Sequence, residues 1–123
     1  MWWQEQNDNT KEKAISLAKS GRLEFVTGGW TMTDEASPHL NEIIHSMTEG
    51  NIWLMDNLGV KPRIGWAIDP FGHSSSIPYL ASLLELDAIV INRVHKETKE
   101  EFRRDKNLEF VWRQNWEINS ETQ

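Results

Sequence analysis

Short runs of apolar β-formers alternate along this chain with segments whose apolar residues recur at helical spacing. That alternation constrains the fold more than any other feature. Strand, helix, strand in succession implies parallel strands, because a right-handed crossover helix packs back onto the sheet it left. The strand-like runs are residues 23–26, 63–68, 88–91 and 108–112. They are nearly continuous apolar sequence, as expected where both faces of a sheet are covered. A helix is predicted from Asn9 or Thr10 to about Ser20, with Ala14, Leu17 and Ala18 on one face and Gly21 as its stop. A second starts at Ser37 and Pro38 and turns Leu40, Ile43, Ile44, Met47, Leu54 and Leu58 inward. Gly50 interrupts that stripe and Gly59 closes it. A third opens at residues 74–76 with Pro78 and ends near Leu84, and Thr98 with Glu101 forms a capping-box pattern for a charged fourth. The class is α/β, and both an open doubly wound sheet and part of a β/α barrel fit. Four strands are too few to close a barrel.

In such architectures ligands bind outside the carboxyl ends of the strands. Each predicted strand is followed there by polar or sugar-compatible residues. Gly28, Gly29, Trp30, Asp34 and Glu35 follow the first, and Asp69, Phe71 and His73 the second. Arg93 and His95 follow the third, and Arg113 and Gln114 the fourth. Asp34 and Glu35 read as structural acids favoured by charge at the next helix N-terminus. His39 and His45, six residues apart, do not share a helix face and read as structural. Asp69 is the sharpest local signal. Directly after an apolar strand, with Pro70 and Gly72 fixing a turn behind it, its carboxylate would face a central cleft. It could bind a metal, act as a nucleophile, do both, or merely form the turn or cap a helix. His73 taken alone reads as a satisfied structural histidine.

Composition narrows the function. A chain of 123 residues is one compact domain at most. A net charge of −6 and a pI near 5.2 argue against nucleic acid, since phosphate binding needs uncompensated Lys and Arg. The mixed charges between Lys96 and Lys106 read as a solvated helix face. There is no cysteine, hence no disulfide or thiolate metal site. No segment has the length and apolarity of a membrane span or of a secretory signal. The opening Met1-Trp2-Trp3 reads as the interior of an element entered midway. The seven tryptophans read mostly as packing residues, although the indole is also a good platform for the apolar face of a sugar.

Four ordered motifs then carry a resemblance across essentially the whole chain. They are Gly28-Gly29-Trp30-Thr31-Met32-Thr33-Asp34-Glu35-Ala36, Trp66-Ala67-Ile68-Asp69-Pro70-Phe71-Gly72-His73-Ser74, Ile91-Asn92-Arg93-Val94-His95 and Leu108-Glu109-Phe110-Val111-Trp112-Arg113-Gln114-Asn115-Trp116. Together they resemble the zinc-dependent α-mannosidases of glycoside hydrolase family 38, in its Golgi-type branch. The resemblance implies that residues 1–123 are a fragment of the N-terminal catalytic domain. It implies about four βα units of a seven-stranded parallel β/α barrel. The implied activity is hydrolysis of α-mannosidic bonds with retention, in N-glycan processing on the lumenal side of the Golgi membrane. The partner is a mannose-containing N-glycan, and the cofactor is Zn2+. Asp69 matches the residue that is both nucleophile and zinc ligand. Phe71 matches an aromatic lining the sugar pocket, and Arg93 an arginine that contacts the substrate region.

The sequence also departs from that family. No His-x-Asp pair, which supplies further zinc ligands, occurs in the chain. The remaining ligand, the acid/base aspartate and the membrane anchor of that branch are expected outside it. The fragment alone is therefore expected to be inactive, with at most weak zinc affinity. A rival reading is a truncated paralogue or incomplete gene model, acting at most as a sugar-binding or interaction fragment. A metal-dependent carbohydrate deacetylase ranks lower, because nothing in it matches the Asp34 and Trp112 segments.

Overall fold

A computed structural model describes residues 2–113 of the chain. Gln114 and the Asn115-Trp116 end of the last motif lie outside the described residues. The elements run α1 (Trp2–Glu5), α2 (Asp8–Lys19), α3 (Leu40–Leu58), β1 (Ile64–Ala67), α4 (Ser76–Leu83), β2 (Ala88–Ile91) and α5 (Lys96–Arg104). The strands β1 and β2 pair in parallel, with Ile64 opposite Ala88 and Ala67 opposite Ile91. The helix α4 connects them, as the alternation of periodicities predicts.

Local chemistry sets most boundaries. The Asn7 side chain accepts the Thr10 N–H at 2.9 Å and starts α2, two residues before the predicted cap. The helix α3 starts at Leu40 rather than at Ser37. Glu42 reaches back to the His39 N–H at 3.1 Å there, so the cap lies two residues later than Ser37 suggests. Gly59, at φ +66°, ends α3 in the left-handed conformation that glycine adopts without steric cost. The helix α5 is already under way at Lys96, which places Thr98 within its first turn and not at its cap.

Ile43, Met47, Leu54 and Leu58 are the buried stripe of α3, while Leu40 and Ile44, also predicted to face inward, are exposed. Ile43 and Met47 pack against Ile77 and Leu80 of α4, with Leu84 and Ile89 at the margin. Gly50 does not interrupt the helix; it is buried within it. A Cβ at Gly50 would stand 2.6 Å from the Gly29 carbonyl carbon and 2.7 Å from the Trp30 nitrogen, and closer still to the Gly28 oxygen. The glycine is there because the backbone of residues 28–30 crosses α3 in contact with it.

Two predicted strands do not form among the described residues, at 23–26 and at 108–112. The reason at the first is Thr27. Its N–H donates to the Ile64 carbonyl at 2.7 Å. Its hydroxyl accepts the Trp66 N–H at 2.6 Å and donates to the Trp66 carbonyl at 3.0 Å. One threonine, in the left-handed region at φ +66°, therefore satisfies the flank of β1 that a third strand would occupy. At the second, Phe110 packs on Phe102 of α5 and on Trp112, with ring centroids 5.9 and 6.3 Å apart. The tryptophans are less buried than a packing role implies. Trp2, Trp30, Trp66 and Trp112 are exposed, and Trp3 meets Trp53 edge-on at 5.7 Å. No helix of the described residues is long and apolar enough to cross a membrane.

Candidate functional site

The strand register builds the site. Ile64 pairs with Ala88, an offset of 24 residues, and the side-chain contacts that join the two strand segments keep it. At the amino ends Lys61 bonds Glu85 at 2.6 Å and Arg63 bonds Asp87. At the carboxyl ends the Asn92 amide donates to the Ile68 carbonyl at 3.3 Å, and Arg93 meets Asp69. Arg93 Nε and Nη2 both donate to Asp69 Oδ1, at 3.1 and 2.5 Å. Oδ2 of Asp69 accepts no hydrogen bond among the described residues. Asp69 thus lies two residues past β1, and Arg93 two residues past β2, side by side on the carboxyl rim. The Asp69 side chain is 67% exposed and that of Arg93 53%. Asp69 is not a helix cap: the cap of α4 is Ser75.

Phe71 is 73% exposed. Beside Arg93 lies an open groove of about 450 Å³, walled by His73, Ile91, Phe102, Phe110 and Trp112. The structure therefore joins Asp69 to Arg93 and borders Arg93 with aromatic side chains. It does not bring Phe71 into that groove.

Glu35 is the residue that local reading places wrongly. It does not serve the start of α3. Its carboxylate, only 3% exposed, reaches the turn beyond β1. Oε1 accepts from His73 Nδ1 at 3.2 Å, and Oε2 accepts the Ser74 N–H at 2.6 Å. His73 is partly buried, and its Nε2 is covered and has no partner among the described residues. Asp34 turns the other way. It accepts the Ala36 N–H at 2.8 Å and the Ser37 N–H at 3.4 Å, closing a turn before α3. The Ala36 N–H, aided by Ser37, holds the Asp34 carboxyl below its ordinary pKa. No spacing in the sequence announces the Glu35–His73 contact; the only hint is that both residues follow an apolar run.

No group of three His, Asp or Glu residues among the described residues is placed to hold a metal ion. The free Oδ2 of Asp69 is chemically suited to be one ligand of a divalent cation.

The family to which the chain belongs follows from its sequence, independently of this arrangement. Residues 1–120 match the glycosyl hydrolases family 38 N-terminal domain, and the chain belongs to that family. It is 50% identical over 121 residues to "Alpha-mannosidase 2" of Homo sapiens, which covers 98% of this chain and 11% of the human protein. It is 46% identical over 116 residues to "Alpha-mannosidase 2" of Arabidopsis thaliana, covering 94% of this chain and 10% of that protein. The Drosophila melanogaster protein of the same name is 43% identical over 115 residues, 94% of this chain and 10% of its own length. The chain thus spans about a tenth of the length of these relatives.

Proposed function

We propose that this chain is the nucleophile-bearing part of a zinc-dependent, retaining α-mannosidase acting on N-glycans in the Golgi lumen. The observation that carries the reading is the Asp69–Arg93 pair on the rim, set there by the strand register. Family membership and the names of the relatives support the substrate class. The sheet carrying the pair would be one sector of a seven-stranded β/α barrel.

Retaining glycosidases use two carboxyl groups roughly 5–5.5 Å apart. In this reading Asp69 attacks the anomeric carbon, the glycosidic C–O bond breaks, and a covalent glycosyl-enzyme forms. A second carboxyl group, not assigned among the described residues, protonates the leaving oxygen and then takes a proton from the incoming water. Water displaces Asp69 and restores the carboxylate. Arg93 keeps Oδ1 engaged and so orients the carboxylate. A zinc ion held partly by Asp69 would supply a clamp and Lewis acid for sugar hydroxyls. Phe71, on the same turn, would offer its exposed ring to a sugar face. Because the scheme needs a second carboxyl group and further zinc ligands, the 123-residue chain alone is expected to be inactive.

The test is a segment exchange. The matching segment of the human relative is replaced by this chain, and hydrolysis of an aryl α-mannoside is measured. The chimera should turn over the substrate and lose activity with chelator. Asp69→Asn in the chimera should lower kcat by on the order of 10³-fold or more, as removal of a nucleophile does. An active chimera indifferent to Asp69→Asn refutes the assignment.

A further inference from the structure

We propose that Glu35 is a positioning residue for the rim carboxylate: it anchors the far end of the turn that presents Asp69, and it does so by fixing the His73 tautomer. The inference rests on Asp69 being the nucleophile, but its geometry is independent of turnover.

The turn of residues 69–74 is held at two ends by side chains. At its start Arg93 grips Asp69, and this pair is exposed to water. At its finish Glu35 grips His73 and Ser74, and this contact is largely shielded, with the Glu35 side chain only 3% exposed. The two anchors differ accordingly. An exposed ion pair is weakened by solvent, whereas a buried carboxylate with both oxygens engaged has no competing partner. Between them only Pro70 is buried, and Gly72 has open space around it. The direction of Asp69 therefore depends on an acid 34 residues earlier in the chain.

The chemistry of the contact dictates a proton position. The Ser74 N–H must donate, so Glu35 Oε2 accepts. A carboxylate only accepts, so His73 Nδ1 must carry the proton facing Oε1. Nε2 is then a bare acceptor, buried and unpartnered among the described residues. The opposite tautomer would set a lone pair against Oε1 and bury an N–H with no acceptor, which is the worse arrangement.

Nuclear magnetic resonance on the ¹⁵N-labelled chain tests this. In the unsubstituted chain, long-range ¹⁵N–¹H spectra should show His73 as the Nδ1–H tautomer. The Arg93 Nε–H should exchange with water more slowly than that of exposed arginines. In Glu35→Gln the new amide N–H can donate to Nδ1, so His73 should switch to the Nε2–H tautomer. Exchange at Arg93 Nε–H should then speed up roughly two- to fivefold, the factor an exposed ion pair contributes. Asp69→Asn should speed exchange at Arg93 without changing His73. If Glu35→Gln does not fold, His73→Asn and His73→Phe decide. The asparagine amide can still donate to Glu35 and should retain the Arg93 protection, while phenylalanine should lose it. An Nε2–H tautomer in the unsubstituted chain, unchanged Arg93 exchange in Glu35→Gln, or identical behaviour of the two His73 variants overturns the proposal. Coupling observed together with an active chimera indifferent to Asp69→Asn would refute the nucleophile assignment and leave the Glu35 anchor standing; the reverse result would do the opposite.

Discussion

Arg93 and Asp69 make a pair whose contribution to stability and contribution to function should separate. Both side chains are more than half exposed, so the ion pair adds only about 0–1 kcal/mol to folding. Arg93→Ala should leave the unfolding midpoint of this chain nearly unchanged. In the segment-exchange enzyme the same substitution should reduce kcat/KM, because Oδ1 of Asp69 loses its donors and the carboxylate can rotate. Arg93→Lys should restore the charge without the two-nitrogen grip, and so recover only part of the loss. Equal damage to stability and to kcat/KM would contradict this account. At this scale the Asp69–Arg93 contact is legible in the sequence, because each residue comes just after an apolar run and a parallel strand delivers the residues beyond its carboxyl end to the rim. Phe71 follows the same run without joining that contact. Glu35 is not legible. Its partner is 38 residues away, and a carboxylate just before a helix reads locally as a helix-dipole acid.

Gly50 shows the same limit for a whole element. A glycine in the middle of a helix costs about 1 kcal/mol relative to alanine by propensity, and reads as a break. Here α3 runs through it for 19 residues, because the backbone of residues 28–30 lies on that spot. Gly50→Ala should therefore destabilise the chain by about 1–3 kcal/mol, the overpacking penalty, despite its better helix propensity. Urea unfolding followed by circular dichroism would measure it; an alanine variant as stable as the unsubstituted chain would mean that residues 28–30 do not press on α3. Elements whose information is local are legible. The strand β2 coincides with an unbroken apolar run, and α3 ends at the predicted Gly59. The runs at 23–26 and 108–112 have strand composition but no ladder among the described residues. Strand identity belongs to a pair, and composition describes only one member of it.

Over the whole molecule, the buried side chains are few beside the exposed apolar ones. Among the described residues eight hydrophobic side chains form the core, while Trp2, Trp30, Met32, Leu83, Leu108 and Val111 are among the large apolar residues facing solvent. Exposed apolar surface on that scale favours association, and among the described residues the outer edge of β2 adds an unpaired strand edge. On heating, the isolated chain is expected to unfold over a broad range or to aggregate. Light scattering during a thermal ramp would register this, and a sharp, reversible transition at monomer mass would refute it.

The charges flanking the two strands also encode their direction. Along β1 the order is basic then acidic, Arg63 to Asp69; along β2 it is acidic then basic, Asp87 to Arg93. Parallel alignment joins opposite signs at both ends of the ribbon. Were the same strands to meet head to tail, Arg63 would confront Arg93 and Asp69 would confront Asp87. The side chains that furnish the rim thus also penalise the wrong hairpin, so that orientation is selected by repulsion in the alternative as much as by attraction in the native sheet.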